Sequence, residues 1–104
     1  MFALENLAEI VARRAEADAG ASYTRSLLDK GVARCARKFG EEATEAVIAA
    51  VAEDDAALTG EAADVLYHLL VVLQARKIPL SEVMAELERR TQRSGHEEKA
   101  ARAK

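Results

Sequence analysis

The chain has 104 residues, half of them hydrophobic, with 15 basic against 18 acidic side chains and a net charge of −3. That length fits one domain over residues 1–104, above the size at which a core needs disulfides or metals to fold. The charge balance excludes a duplex nucleic-acid footprint. The apolar run 65–73, interrupted by Tyr67 and His68, is far below the ~20 residues of a membrane span, and no basic head precedes an apolar run as in a targeting segment. A cytoplasmic protein without nucleic-acid or membrane partners is expected, and a single cysteine, Cys35, fits a reducing compartment.

Residues 2–17 carry Leu4, Leu7, Ile10 and Val11 at helical spacing with Glu5, Glu9, Arg13 and Arg14 between them, which predicts an amphipathic helix ended by Gly20. Ser22 is the expected N-cap of a short helix through Leu27 and Leu28, closed at Gly31. Tyr23, Thr24 and Lys30 there read either as a capped turn or as ligand contacts. A long helix over 32–53 follows. At about 100° per residue, Val32, Cys35, Ala36, Phe39, Ala43, Ala46, Val47 and Ala50 form one apolar stripe, bordered by Glu42 with Lys38 and Glu45 next in line.

Residues 53–55 read as a loop or a helix start, and Thr59-Gly60 leaves the beginning of the next helix open. That helix runs to about Lys77 and is apolar nearly all round, with Glu61, Asp64 and His68 opening a row that Val65, Val72 and Ala75 continue. Such a helix is buried on most sides, in a bundle or an oligomer interface. Ile78-Pro79 breaks it, and Ser81 with Glu82 opens a last helix toward Arg90. The pattern is all-α, a bundle of four to five helices with no strand signal. Beyond Arg90 the chain is polar and mixed in charge, the mark of a solvated tail.

The chemistry concentrates in Gly40-Glu41-Glu42-Ala43-Thr44-Glu45, answered after fifteen residues by Glu61-Ala62-Ala63-Asp64. Glu42 and Glu45 lie one helical turn apart, as do Glu61 and Asp64, so two acid pairs can face each other. Four convergent carboxylates repel unless a cation sits among them, and an all-oxygen set suits Mg²⁺, with Mn²⁺ the substitute. Lys38, four residues before Glu42, is an ordinary helix ion pair or a phosphate contact. Zinc hydrolysis lacks its His-Glu-x-x-His or Cys ligands, and a di-iron site lacks Glu-x-x-His. Neither a P-loop nor a dinucleotide fingerprint is present. Phosphate chemistry on a helical scaffold remains.

Glu41-Glu42-x-x-Glu45 followed by Glu61-x-x-Asp64 resembles the signature of the all-α nucleotide pyrophosphohydrolase (MazG-like) superfamily. With Ser22-Tyr23-Thr24, Lys38-x-Gly40-Glu41-Glu42, Tyr67-His68-Leu69-Leu70 and Arg89-x-x-x-Arg93-Ser94-Gly95 through Glu98-Lys99, the chain is similar over residues 3–102 to the phosphoribosyl-ATP pyrophosphohydrolases of histidine biosynthesis. The resemblance implies Mg²⁺-dependent hydrolysis of phosphoribosyl-ATP to phosphoribosyl-AMP and pyrophosphate. It also implies a bundle completed by homodimerisation, and a phosphoribosyl-AMP cyclohydrolase that is a separate protein, since this chain is too short to include one. It casts Glu42, Glu45, Glu61 and Asp64 as metal ligands and Glu41 as a base or supporting acid. Lys38 becomes the first phosphate contact, and Tyr23, Thr24, Lys30, His68, Arg93, Lys99 and Arg102 further substrate contacts. The alternatives are a house-cleaning nucleoside triphosphate pyrophosphatase, sharing the metal motif alone, and a helical oligomerisation module without activity.

Overall fold

The computed structural model describes residues 1–92 and Arg102. Five helices follow in order, α1 (Leu4–Ala15), α2 (Tyr23–Asp29), α3 (Val32–Ala52), α4 (Asp55–Ala75) and α5 (Leu80–Arg90), and the described residues contain no strand. The all-α expectation holds. Each helix start has a local cause. In α1 the Asn6 side chain accepts from the Ala3 N–H at 2.8 Å. Ser22 caps α2 as expected, accepting from the Arg25 N–H at 3.1 Å while its hydroxyl donates to the Arg14 carbonyl at 3.1 Å, so one side chain closes α2 and ties it to the end of α1.

α2 passes into α3 through Gly31, whose φ of 94° lies where only glycine sits without strain. α4 begins at Asp55, within the 53–55 stretch read as a loop or a helix start, because Asp54 caps it by accepting from the Ala57 N–H at 2.9 Å. Gly60 is simply interior to the helix. α5 begins at Leu80 with Pro79 in the capping position, one residue before the expected Ser81. Between them, Lys77 adopts a left-handed φ of 58° while the Lys77 and Ile78 N–H groups bond the Gln74 and Leu73 carbonyls, a Schellman ending that turns the chain out of α4.

α3 and α4, each of 21 residues and joined across Glu53-Asp54, form a long helical hairpin against which α1 and α2 pack. The core gathers Val11, Leu27, Cys35, Leu70 and Val71, with Leu7, Leu28, Tyr67, Leu73 and Leu80 around it. It therefore occupies the half of the hairpin away from the α3–α4 turn. The row of α3 that faces inward is Cys35, Glu42 and Ala49, seven residues apart, not the stripe expected from periodicity. Val47 is 63% exposed and Val51 85%, with Ile48 and Leu66 also exposed. A Cα radius of gyration of 15.8 Å against the ~13 Å of a compact 100-residue domain fits this projecting apolar end.

The Ser22 bonds give a stability test. Ser22→Ala removes the α2 cap and leaves the Arg14 carbonyl without that donor, so unfolding at fixed protein concentration is expected to cost about 1–2 kcal/mol less than in the wild type. A thermal midpoint unchanged by the substitution would show that α2 is held by packing alone.

Candidate active site

The hairpin sets opposite one another the two halves of the acidic motif. Glu42 points into the α3/α4 seam and is only 8% exposed, Glu61 is half-buried, and Glu45 is exposed one turn beyond Glu42. One carboxylate oxygen from each of the three lies within 4.8 Å of the others. Asp64 is exposed and falls outside that group. Three steps of about 100° leave it some 60° round the helix from Glu61, enough to move it from the seam to the rim.

The electrostatics of this cluster are those of a site short of positive charge. The Glu45 carboxyl is held above the ordinary carboxylate range, chiefly by its hydrogen bond and charge contact with Glu42 and then by the charge of Glu61. Glu61 Oε2 is buried with no hydrogen-bond partner among the described residues. A buried carboxylate oxygen without a donor is costly unless something fills the role. The donor set is wholly oxygen, and an octahedral cation bound at about 2.0–2.1 Å spreads its ligand oxygens up to about 4.2 Å, so small side-chain rotations would bring all three into range. Glu42, Glu45 and Glu61 are thus able to hold a divalent cation.

The only cation bonded to these acids within the described residues is Lys38. Its Nζ lies 3.2 Å from Glu42 Oε1 and 3.8 Å from Glu41 Oε2, and the bond to Glu42 raises its pKa. Glu41 stays on the exposed side of α3. His68, 5% exposed, lies on the α4 row of Glu61 at the inner edge of the site. Burial lowers its pKa, and the charges of Glu42 and Asp64 oppose that while Lys38 adds to it. Its Nδ1 is buried without a hydrogen-bond partner among the described residues. Cys35, buried below with its thiol donating to the Leu27 carbonyl at 3.3 Å, has a raised pKa from burial and takes the inert role of a core residue.

The other expected contacts divide. Tyr23 is exposed beside Lys38 and contributes to that lysine's raised pKa. Thr24 is 1% exposed, and its hydroxyl is engaged with the Tyr67 hydroxyl at 2.6 Å. Lys30 is exposed at the end of α2, away from the acids in sequence by three turns of α3. Arg102 is exposed, and Arg93 and Lys99 lie outside the described residues. On α5, Glu86 bonds both Arg89 and Arg90 and is pulled down to about 2 by those two hydrogen bonds. Sequence reasoning left Tyr67 undecided. Its place three residues after Asp64, beside His68, was the available signal, and its bond to Thr24 across 43 residues was not.

Comparison with known proteins agrees with this geometry. The family described as phosphoribosyl-ATP pyrophosphohydrolase matches residues 4–91. The chain is 64% identical to the phosphoribosyl-ATP pyrophosphatase of Azorhizobium caulinodans over 95% of its own length and 91% of the relative's. It is 58% identical to phosphoribosyl-ATP pyrophosphatase 1 of Bradyrhizobium diazoefficiens, covering 97% and 95% of the two chains. It is also 58% identical to the phosphoribosyl-ATP pyrophosphatase of Agrobacterium fabrum, covering 97% and 94%. With five helices among its described residues, a carboxylate cluster across its central hairpin and these matches along nearly its whole length, the chain belongs to the phosphoribosyl-ATP pyrophosphohydrolase family.

Proposed function

We infer that this protein hydrolyses phosphoribosyl-ATP to phosphoribosyl-AMP and pyrophosphate, the step its relatives' names describe in histidine biosynthesis. The observation that carries the reading beyond family membership is the convergence of Glu42, Glu45 and Glu61 beside Lys38. Those three carboxylates would hold Mg²⁺, or Mn²⁺ in its place, which neutralises polyphosphate charge and acidifies water for in-line attack when bound. Asp64, on the rim one turn after Glu61, would be the fourth carboxylate available to that cation. Glu41 stands behind Lys38 as a supporting acid or base. Lys38, its Nζ already beside the cluster, would contact a substrate phosphate there. Tyr23 and His68 flank the same opening, Lys30 is a more distant substrate contact at the end of α2, and Arg93, Lys99 and Arg102 supply further cations for the second phosphate of the substrate.

The active form is a homodimer in this reading. Val47, Ile48 and Val51 lie immediately beyond Glu45 on α3, and Leu66 extends the exposed apolar surface on α4. α4, at 21 residues, is also long and apolar enough to cross a membrane by length and composition. A bilayer is the poorer cover, because Glu61 and Asp64 on that helix would each cost about 2.5–3.5 kcal/mol near the hydrocarbon centre. A second copy of the hairpin covers the apolar end and leaves the acids at the seam. A soluble nucleotide substrate and a free buried thiol suit the cytoplasm.

Two outcomes are expected. Glu45→Gln lowers kcat for phosphoribosyl-ATP by more than about 100-fold, beyond what loss of a ligand's supporting partner costs, while the metal-free protein melts at the same or a higher temperature because carboxylate repulsion is relieved. Asp64→Asn also lowers kcat but leaves the melting temperature alone, since Asp64 stands outside the repelling group. Near-normal turnover in both variants rejects the site. Sedimentation is expected to find a dimer and no folded monomer at micromolar concentration; a stable, helical species with the mass of one chain contradicts the shared-interface reading.

A further inference from the structure

Both tyrosines of the chain meet at one place, beside the carboxylate cluster, although 43 residues separate them. The rings of Tyr23 and Tyr67 are nearly parallel, 18° apart, with centroids 6.5 Å from each other, at the wide end of the stacking range. His68 stands edge-on to both, 4.9 Å from Tyr67 and 6.5 Å from Tyr23. The group is locked from beneath by the 2.6 Å bond between the Tyr67 and Thr24 hydroxyls. Thr24 is fully buried in the first turn of α2, next to Tyr23, so its bond to Tyr67 ties the start of that helix to α4 and holds the backbone that carries Tyr23.

Tyr23 itself is 57% exposed. A rigid aromatic ring backed by two others, with so much of its surface left open, is suited to being covered by a flat apolar partner. Moving along the protein from that ring, one meets Lys38, then the Glu42 to which Lys38 is bonded at 3.2 Å, then Glu45 and Glu61. Aromatic face, ammonium and carboxylate cluster follow in the order of the parts of a nucleotide: base, phosphate and phosphate-bound cation.

We propose that Tyr23 is the stacking platform for the purine base of the substrate, and that Thr24 and Tyr67 are positioning residues that hold its ring at the mouth of the site. This rests on the pyrophosphohydrolase reading for the kind of nucleotide involved. Thr24 then acts through Tyr67 and does not itself touch substrate. Because a π face is common to every base, the platform supplies affinity for the base and leaves discrimination of phosphoribosyl-ATP from a plain triphosphate to the cations that meet its second phosphate.

Adenosine 5′-monophosphate, with Mg²⁺ present, is the probe. The chain has no tryptophan, so its intrinsic emission comes from Tyr23 and Tyr67 alone, and the nucleotide is expected to quench it saturably. Tyr23→Leu should weaken the Kd by at least about fivefold, the low end for one base stack, whereas Tyr23→Phe keeps affinity close to wild type. Tyr67→Phe and Thr24→Val, with the fold verified by circular dichroism, should raise KM for phosphoribosyl-ATP and spare kcat, with Thr24→Ser restoring KM. Unchanged nucleotide affinity in Tyr23→Leu, or failure of the wild type to bind the nucleotide, overturns the proposal. If binding depends on Tyr23 but the wild type does not hydrolyse phosphoribosyl-ATP, the platform stands and the pathway reading falls.

Discussion

Everything distinctive about this small bundle follows from forcing Glu42 into the seam of the α3/α4 hairpin. A carboxylate 8% exposed, with Glu45 and Glu61 oxygens inside 4.8 Å, is tolerable only with compensation. Lys38 supplies part of it through a 3.2 Å bond. Among the described residues no side chain supplies the remainder, as the raised Glu45 carboxyl and the unpartnered Glu61 oxygen both indicate. The core of Val11, Leu27, Cys35, Leu70 and Val71 lies at the other end of the hairpin. The molecule thus holds together at one end and stores its electrostatic strain toward the other, where a cation can use it.

The residue pattern conveyed the helices and the acid pairs well, because both depend on local spacing. Ser22 as a cap and Gly31 as a break were legible for the same reason. What periodicity could not decide is which side of an all-round apolar helix faces its own chain. Counting at 100° per residue grouped Val47 and Ala50 with Cys35, whereas α3, packed along an antiparallel neighbour, follows a seven-residue row through Cys35, Glu42 and Ala49. Glu42 moved from the border of the stripe to its centre. Val47 and Val51 moved to solvent. Thr59-Gly60 left the start of α4 open between 53–55 and 60, and the Asp54 cap settles it, since a glycine with open space around it costs a helix only about 1 kcal/mol.

The candidate site was legible as a set of residue types and less so as a geometry. Equal spacing made Glu61 and Asp64 look equivalent, but one sits in the seam and the other on the rim. Thr24 and Tyr67, adjacent to obvious candidates, turn out to spend their hydroxyls on each other. Only a tertiary contact reveals that, since nothing local to either residue announces a partner 43 positions away. Lys38 is the reverse case: its i,i+4 relation to Glu42 was plain, and the burial of that partner turns an ordinary helix ion pair into the sole charge balance of the cluster among the described residues.

The account stands or falls on whether three carboxylates gathered without sufficient positive charge are a cation site. The direct test is thermal denaturation of the wild type and of Glu61→Gln as Mg²⁺ is titrated at constant ionic strength. A ligand that binds only the folded protein adds about 2.7 kcal/mol of stability at 100 times its Kd. The account predicts a wild-type midpoint that climbs with the logarithm of Mg²⁺ concentration above the Kd, and little or no rise in Glu61→Gln. A wild-type midpoint indifferent to Mg²⁺ and Mn²⁺, or an equal rise in the two proteins, would contradict it.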